Sequence, residues 1–149
     1  MQSNILLLHG PNLNLLGKRD RKNYGTITLE ALENLTIAEA KKFNFNLRAF
    51  QSNYEGKLID LIQENTAHCC GIIINLGAFT HYSYALYDAL LDTKLPIVEV
   101  HLSKISNREP WRRISVTAPL CIKVIEGKKE LGYIEAVKTL IEHLSHADH

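Results

Sequence analysis

Apolar positions along the chain alternate between short unbroken runs and stripes at helical spacing. Ile5 to Leu8 is a continuous apolar run that stops at His9-Gly10-Pro11, which predicts a strand buried on both faces. Thr28 can then cap a helix in which Leu29, Leu32 and Leu35 recur at helical spacing, with Glu30 and Glu33 near the positive end of its dipole. Leu47 to Phe50 predicts a second strand, and Leu58, Leu61 and Ile62 a second helix. Gly71 to Asn75 is the clearest buried strand, followed by the helical face Ala85, Leu86, Ala89 and Leu90. Pro96 opens a fourth strand, Ile97 to Val100, at a position where proline is tolerated. A fifth strand is expected over Leu120 to Ile125, and Leu131, Ile134, Val137 and Ile141 mark a closing helix.

Strand and helix in this alternation imply an α/β fold: a flavodoxin-like, doubly wound, five-stranded parallel sheet flanked by helices, with right-handed crossovers. Ligands in such sheets bind beyond the carboxyl ends of the strands. Four predicted strand ends carry His9-Gly10-Pro11-Asn12-Leu13-Asn14, Gln51-Ser52-Asn53-Tyr54-Glu55-Gly56, Asn75-Leu76-Gly77-Ala78-Phe79-Thr80-His81 and Glu99-Val100-His101-Leu102-Ser103. Asn and Gly are also ordinary turn formers. Four polar ends on one rim nevertheless predict a site for a small, polyhydroxylated ligand.

Composition narrows the class. A length of 149 residues suits one domain over 1–149, and 46% hydrophobic with 22% charged residues is ordinary globular composition. A net charge of +1 announces no nucleic-acid surface, and no apolar run is long enough for a membrane span. Three cysteines make no disulfide framework, so a cytoplasmic location is expected. No glycine-rich phosphate motif follows a strand. His143, His146 and His149 are read as solvated residues of a fraying end rather than metal ligands, and Cys69 and Cys70 as packing residues.

Two pairs carry candidate chemistry. Residues from Gly10 to about Ile27 show neither strand nor helix pattern and read as a lid, with Arg19 and Tyr24 inside it. A phenol titrates near 10, far above neutrality. A cation at about 4 Å, in an effective dielectric near 20, favours the phenolate by about 4 kcal/mol before any discount for solvent. Such a pair makes a usable base. Glu99 and His101, two apart on a strand, share a face; a carboxylate there orients the imidazole and suits it to act as an acid. The same spacing equally serves a buried structural pair.

The chain resembles the type II 3-dehydroquinate dehydratases from end to end. The resemblance rests on Gly10-Pro11-Asn12-Leu13-Asn14-Leu15-Leu16-Gly17, Arg19, Tyr24-Gly25, Gln51-Ser52-Asn53, Glu55-Gly56, Ile74-Asn75, Gly77-Ala78, Thr80-His81 and Asp88-Ala89. It continues through Glu99-Val100-His101-Leu102-Ser103, Arg108-Glu109, Arg112 and Gly132-Tyr133. It implies a shikimate-pathway lyase that acts on the small molecule 3-dehydroquinate without metal or organic cofactor. It also implies a homo-oligomer, a dodecamer built of trimers. By that resemblance Tyr24 is the base, Arg19 favours its ionised form, and Asn12 helps hold the water that stabilises an enolate. His101 protonates the departing hydroxyl, with Glu99 holding its ring. Asn75, His81 and Arg112 bind substrate hydroxyls, the backbone N–H groups of Leu102 and Ser103 take its carboxylate, and Asp88 reaches a neighbouring subunit's site. The chain departs from the family pattern at His9, Arg21, Leu76, Phe79, Lys104, Trp111 and Lys123, none of them a proposed catalytic group. The alternative is a flavodoxin-like binding protein that has lost the chemistry; intact Arg19, Tyr24 and His101 count against it.

Overall fold

The computed structural model describes residues 3–147. Five strands, β1 (Asn4–His9), β2 (Asn46–Gln51), β3 (Gly71–Asn75), β4 (Ile97–His101) and β5 (Lys123–Glu126), form one parallel sheet in the order β2-β1-β3-β4-β5. That order is the flavodoxin-like one, and it reverses direction at β1 and β3, where such sheets open a crevice. The helices are α1 (Arg21–Tyr24), α2 (Leu29–Lys41), α3 (Glu55–Asn65), α4 (Tyr84–Thr93) and α5 (Glu130–Ala147).

Because side chains alternate across a strand, each apolar run feeds two cores. Ile5 and Leu7 of β1 join Ile73, Val98 and Val100 beneath α2 and α5, against Leu32, Tyr133, Ala136 and Val137. Leu6 and Leu8 join Ile72, Ile74 and Ile97 on the other face, against Leu58, Leu61 and Ile62 of α3 and Leu86 and Leu90 of α4. This double burial explains why the strands read as unbroken apolar runs. The helices start where their caps dictate: Thr28 Oγ1 accepts from the Ala31 N–H at 3.1 Å, and Ser83 Oγ accepts from that of Leu86 at 3.1 Å.

Three expectations need correction. The fifth strand starts at Lys123, not Leu120, because Ala118–Leu120 is a 3-10 turn containing Pro119 and the Cys121 N–H closes back on the Ala118 carbonyl at 3.0 Å. That donor is unavailable to a ladder. The buried face of α5 is Gly132, Tyr133, Ala136, Val137, Leu140 and Ile141, whereas Leu131 is 69% exposed; the one-residue shift follows from seating Tyr133 in the core. Finally, the helix extends past Ile141, the last apolar position that marks it, through His143 and His146 to Ala147; both histidines are exposed, as expected, while His149 lies outside the described residues.

Candidate active site

The carboxyl ends of β1, β3 and β4 converge on one cavity, lined among others by Asn12, Arg19, Tyr24, Asn75, His81, His101 and Ser103. The loops after β1 and β3 meet backbone to backbone. A Cβ on Gly10 would stand 2.0 Å from the Leu76 carbonyl oxygen, and one on Gly77 (φ 58°) would stand 2.9 Å from that of Pro11. Only glycine permits this approach. Asn12 follows in the left-handed region (φ 70°), which asparagine tolerates, with its N–H donating to Asn53 Oδ1 at 3.0 Å. The β2 end therefore plays a different part from the one its polar sequence suggests. Gln51 donates to the Gly10 carbonyl and to Asn53 Oδ1, both at 3.1 Å, and no residue of 51–56 lines the cavity. It braces the β1 loop from behind.

On β4, His101 Nε2 donates to Glu99 Oε2 at 2.9 Å. The other carboxylate oxygen accepts from Thr117 Oγ1 at 2.5 Å and Ser115 Oγ at 2.9 Å. Burial by itself would raise the Glu99 carboxyl, but hydrogen bonds from His101, Thr117 and Ser115 outweigh it and hold it below the usual carboxylate range. Glu99 is thus an ionised anchor behind the cavity. It fixes the His101 ring and leaves Nδ1 as the nitrogen free of protein partners among the described residues. Just beyond, the carbonyls of Leu102 and Ser103 accept from the Lys129 and Gly127 N–H groups at 3.2 and 3.1 Å. Outside the sheet ladder, no loop, turn or side-chain hydrogen bond among the described residues uses the N–H groups of Leu102 and Ser103 themselves. Two adjacent backbone donors at a cavity are a candidate cradle for an anion.

The segment around Tyr24 is held by Asp20, whose carboxylate accepts from the Lys22 N–H at 3.0 Å and from the Asn23 side chain at 2.6 Å. This cap starts α1, a single helical turn that carries Tyr24, so the segment is structured where the sequence reads as featureless. At its other side Lys129 (φ 53°) donates from Nζ to the Lys22 carbonyl at 2.9 Å, tying α1 to the loop that braces the Leu102 and Ser103 carbonyls. Arg19 lies against the Tyr24 ring face, Cζ 3.8 Å from the centroid. A second guanidinium reaches the phenol oxygen: Arg108 Nη1 donates to Tyr24 Oη at 2.7 Å and to Ser103 Oγ at 3.3 Å. Tyr24 is held between two cations, one on its face and one on its oxygen.

Trp111 packs against two of the lining residues, Arg112 and His81. Arg112 Cζ lies 4.1 Å over its ring and the His81 ring meets it edge-on at 5.3 Å. Arg112 Nε also donates to Glu109 Oε2 at 2.9 Å, which holds the Glu109 carboxyl below the usual range. His81 Nδ1 lies 2.7 Å from the Ile114 carbonyl. A carbonyl only accepts, so Nδ1 carries the hydrogen and Nε2 keeps its lone pair. Burial pushes the His81 imidazole below its ordinary range, favouring this neutral form.

Of the sequence-derived set, Asn12, Arg19, Tyr24, Asn75, His81, His101, Leu102, Ser103 and Arg112 line the cavity, and Glu99 stands behind it. Asp88 does not join them; it lies on the exposed face of α4 and is absent from the cavity of its own chain. Sequence reasoning assigned no role to Arg108, Trp111, Ser115 or Thr117. The Arg108-Glu109 motif was a signal for the first; the others carry no local one, because they act through contacts the fold makes.

A base candidate, an acid candidate and two adjacent backbone N–H groups meet at the switch point of a doubly wound sheet, the arrangement of a candidate acid–base site. Comparison with known proteins is specific. Residues 3–141 match the family described as dehydroquinase class II. The "3-dehydroquinate dehydratase" of Bacillus cytotoxicus is 49% identical over 143 residues, covering 96% of this chain and 98% of that one. Its counterpart in Prochlorococcus marinus subsp. pastoris is 45% identical over 142 residues, covering 95% and 97%. The crystal structure of a type II dehydroquinase from Butyrivibrio crossotus superposes with a TM-score of 0.90 at 44% identity, covering 94% and 98%. The chain belongs to the class II dehydroquinase family.

Proposed function

We propose that the protein removes water from 3-dehydroquinate to give 3-dehydroshikimate in the shikimate pathway, as a carbon–oxygen hydro-lyase. The observation that carries this reading is Tyr24 Oη, 2.7 Å from the Arg108 guanidinium and in the same cavity as His101. Tyr24, as phenolate, takes a proton from the carbon beside the ketone. The electron pair moves onto the ketone oxygen, and a water held with the help of Asn12 stabilises the enolate. The enolate then re-forms the ketone as the carbon–oxygen bond breaks, and His101 gives the departing hydroxyl its proton. Arg19 closes the lid and adds positive charge at the ring. Asn75, His81 and Arg112 bind hydroxyls, and the Leu102 and Ser103 N–H groups bind the carboxylate. One domain, 1–149, carries this chemistry with neither metal nor organic cofactor.

An imine route would need a lysine with a lowered pKa against the substrate ketone. No lysine lies among the described residues lining the cavity, and Lys123 is engaged at the sheet edge with Glu135 at 2.9 Å. Purified protein mixed with 3-dehydroquinate is expected to develop enone absorbance, and borohydride added with substrate should leave that rate intact. A flat trace from well-folded protein would favour the binding-protein alternative. A mass gain on one lysine would overturn the imine-free route.

We further place Asp88 at a neighbouring subunit's site in a dodecamer of trimers. Asp88 shares the outer stripe of α4 with Tyr84, 71% exposed, and Leu91, 47% exposed, and such an apolar stripe is expected to be covered by another copy. Under subunit-exchange conditions, mixing Asp88→Ala with Tyr24→Phe should restore part of the activity that each variant lacks. Demonstrated exchange with activity still at baseline would refute a shared site. A cytoplasmic location accords with the three free thiols Cys69, Cys70 and Cys121. Among the described residues no helix is long and apolar enough to cross a membrane.

A further inference from the structure

Behind the cavity floor three polar side chains are enclosed in the core: Asn75 is 4% exposed, and Tyr133 and His9 are 0% exposed. Asn75 Nδ2 lies 2.9 Å from Tyr133 Oη, and Tyr133 Oη lies 3.0 Å from His9 Nε2. The two rings are stacked, centroids 5.6 Å apart. His9 Nδ1 makes no hydrogen bond and faces Glu33 Oε2 of α2 at 3.4 Å. The proposed reaction uses none of His9, Tyr133 and Glu33.

The hydrogens along this chain can run in one direction only. Asn75 Oδ1 accepts from the Gly77 N–H at 3.3 Å, which turns the Nδ2 donor toward Tyr133. The phenol oxygen therefore accepts, and its single hydrogen is directed to His9 Nε2. Burial pushes the Tyr133 phenol far above its ordinary range, so that hydrogen stays in place. A neutral imidazole that accepts at Nε2 carries its hydrogen on Nδ1, where the Glu33 carboxylate, an acceptor only, faces it. Reversing the Asn75 amide would set two donors against each other at Gly77 and would oppose the polarity that Glu33 imposes from the far end. A buried donor or acceptor left unmatched forfeits its solvation without return, which selects the matched direction.

We infer that Tyr133, His9 and Glu33 are positioning residues that lock the Asn75 amide, so that its second Nδ2 hydrogen is presented to the cavity as a donor. Asn75 is then committed to a substrate oxygen acting as acceptor. This rests on the proposed substrate, but its test is binding rather than turnover.

Affinity for 3-dehydroquinate is measured by calorimetry in a Tyr24→Phe background. Adding Tyr133→Phe, which keeps the ring, should weaken binding about 10-fold, one hydrogen bond's worth. His9→Leu should lose a similar factor, whereas His9→Gln, whose carbonyl can still accept from Tyr133, should stay within about 3-fold. Glu33→Gln, a change at a partly exposed position, should lose about 2- to 3-fold without loss of folding. In enzymes retaining Tyr24, the same changes should raise KM and leave kcat within about 2-fold. Unchanged affinity in Tyr133→Phe and His9→Leu, with Asn75→Ala weakening it, would overturn the positioning role. So would equal losses in His9→Leu and His9→Gln. Should Tyr133→Phe fail to fold, the contrast between His9→Leu and His9→Gln decides the matter.

Discussion

Replacing Arg108 by Met is expected to lower kcat at neutral pH by about 10²- to 10³-fold, the usual loss on removing one preorganised donor from a developing or resting charge. Arg108 Nη1 sits 2.7 Å from Tyr24 Oη, so its loss removes both a hydrogen bond and the positive charge at the oxygen. In bulk water that charge would count for little, but in a partly enclosed site an opposite charge at contact distance is worth up to about 4 kcal/mol. Arg19→Gln should also lower kcat, but by less, because Arg108 still donates to the Tyr24 oxygen at 2.7 Å while the Arg19 guanidinium stacks on the ring face, 3.8 Å from the centroid. A kcat for Arg108→Met within about 3-fold of wild type at saturating substrate would refute this role for the guanidinium.

Glu99→Gln is expected to cost both activity and stability. The carboxylate accepts from His101, Thr117 and Ser115, and an amide presents a donor where one of these donors already points. One buried donor is left unmatched, at about 1–3 kcal/mol. With its anchor weakened, the His101 ring loses its orientation, and kcat should fall about 10²- to 10⁴-fold, the range for positioned acid–base catalysis. The pH dependence of stability gives a second reading. The folded-state pKa of Glu99 lies below its unfolded value near 4.3, so its contribution is complete above that pH and is lost as pH falls through the folded pKa. Wild-type protein should lose stability on acidification below about pH 4 more steeply than Glu99→Gln does. Parallel acid unfolding curves for the two proteins would refute this account of the carboxylate.

Much was already fixed by local pattern. The five strands and four of the helices follow from apolar periodicity and from caps such as Thr28, since residues a few positions apart decide them. The carboxyl ends of β1, β3 and β4 as the seat of chemistry, and Glu99 beside His101, follow from strand order and the two-residue repeat of a strand. Family resemblance then supplied the expected roles. What the sequence could not yield depends on residues far apart in the chain. Arg108 reaches Tyr24 across 84 positions, Lys129 ties the lid across 107, and Tyr133 joins His9 across 124. The Gln51 and Asn53 side chains looked like ligand contacts and proved to be braces, because which way a loop folds over its neighbour is settled by packing. The Glu99 carboxylate owes its ionised state first to His101, which the sequence paired with it, and then to Thr117 and Ser115, which stand between two 3-10 turns where there is no apolar period to read. Periodicity is a property of neighbours along the chain; charge, tautomer and hydrogen-bond direction are properties of neighbours in space, and only the folded chain assigns those.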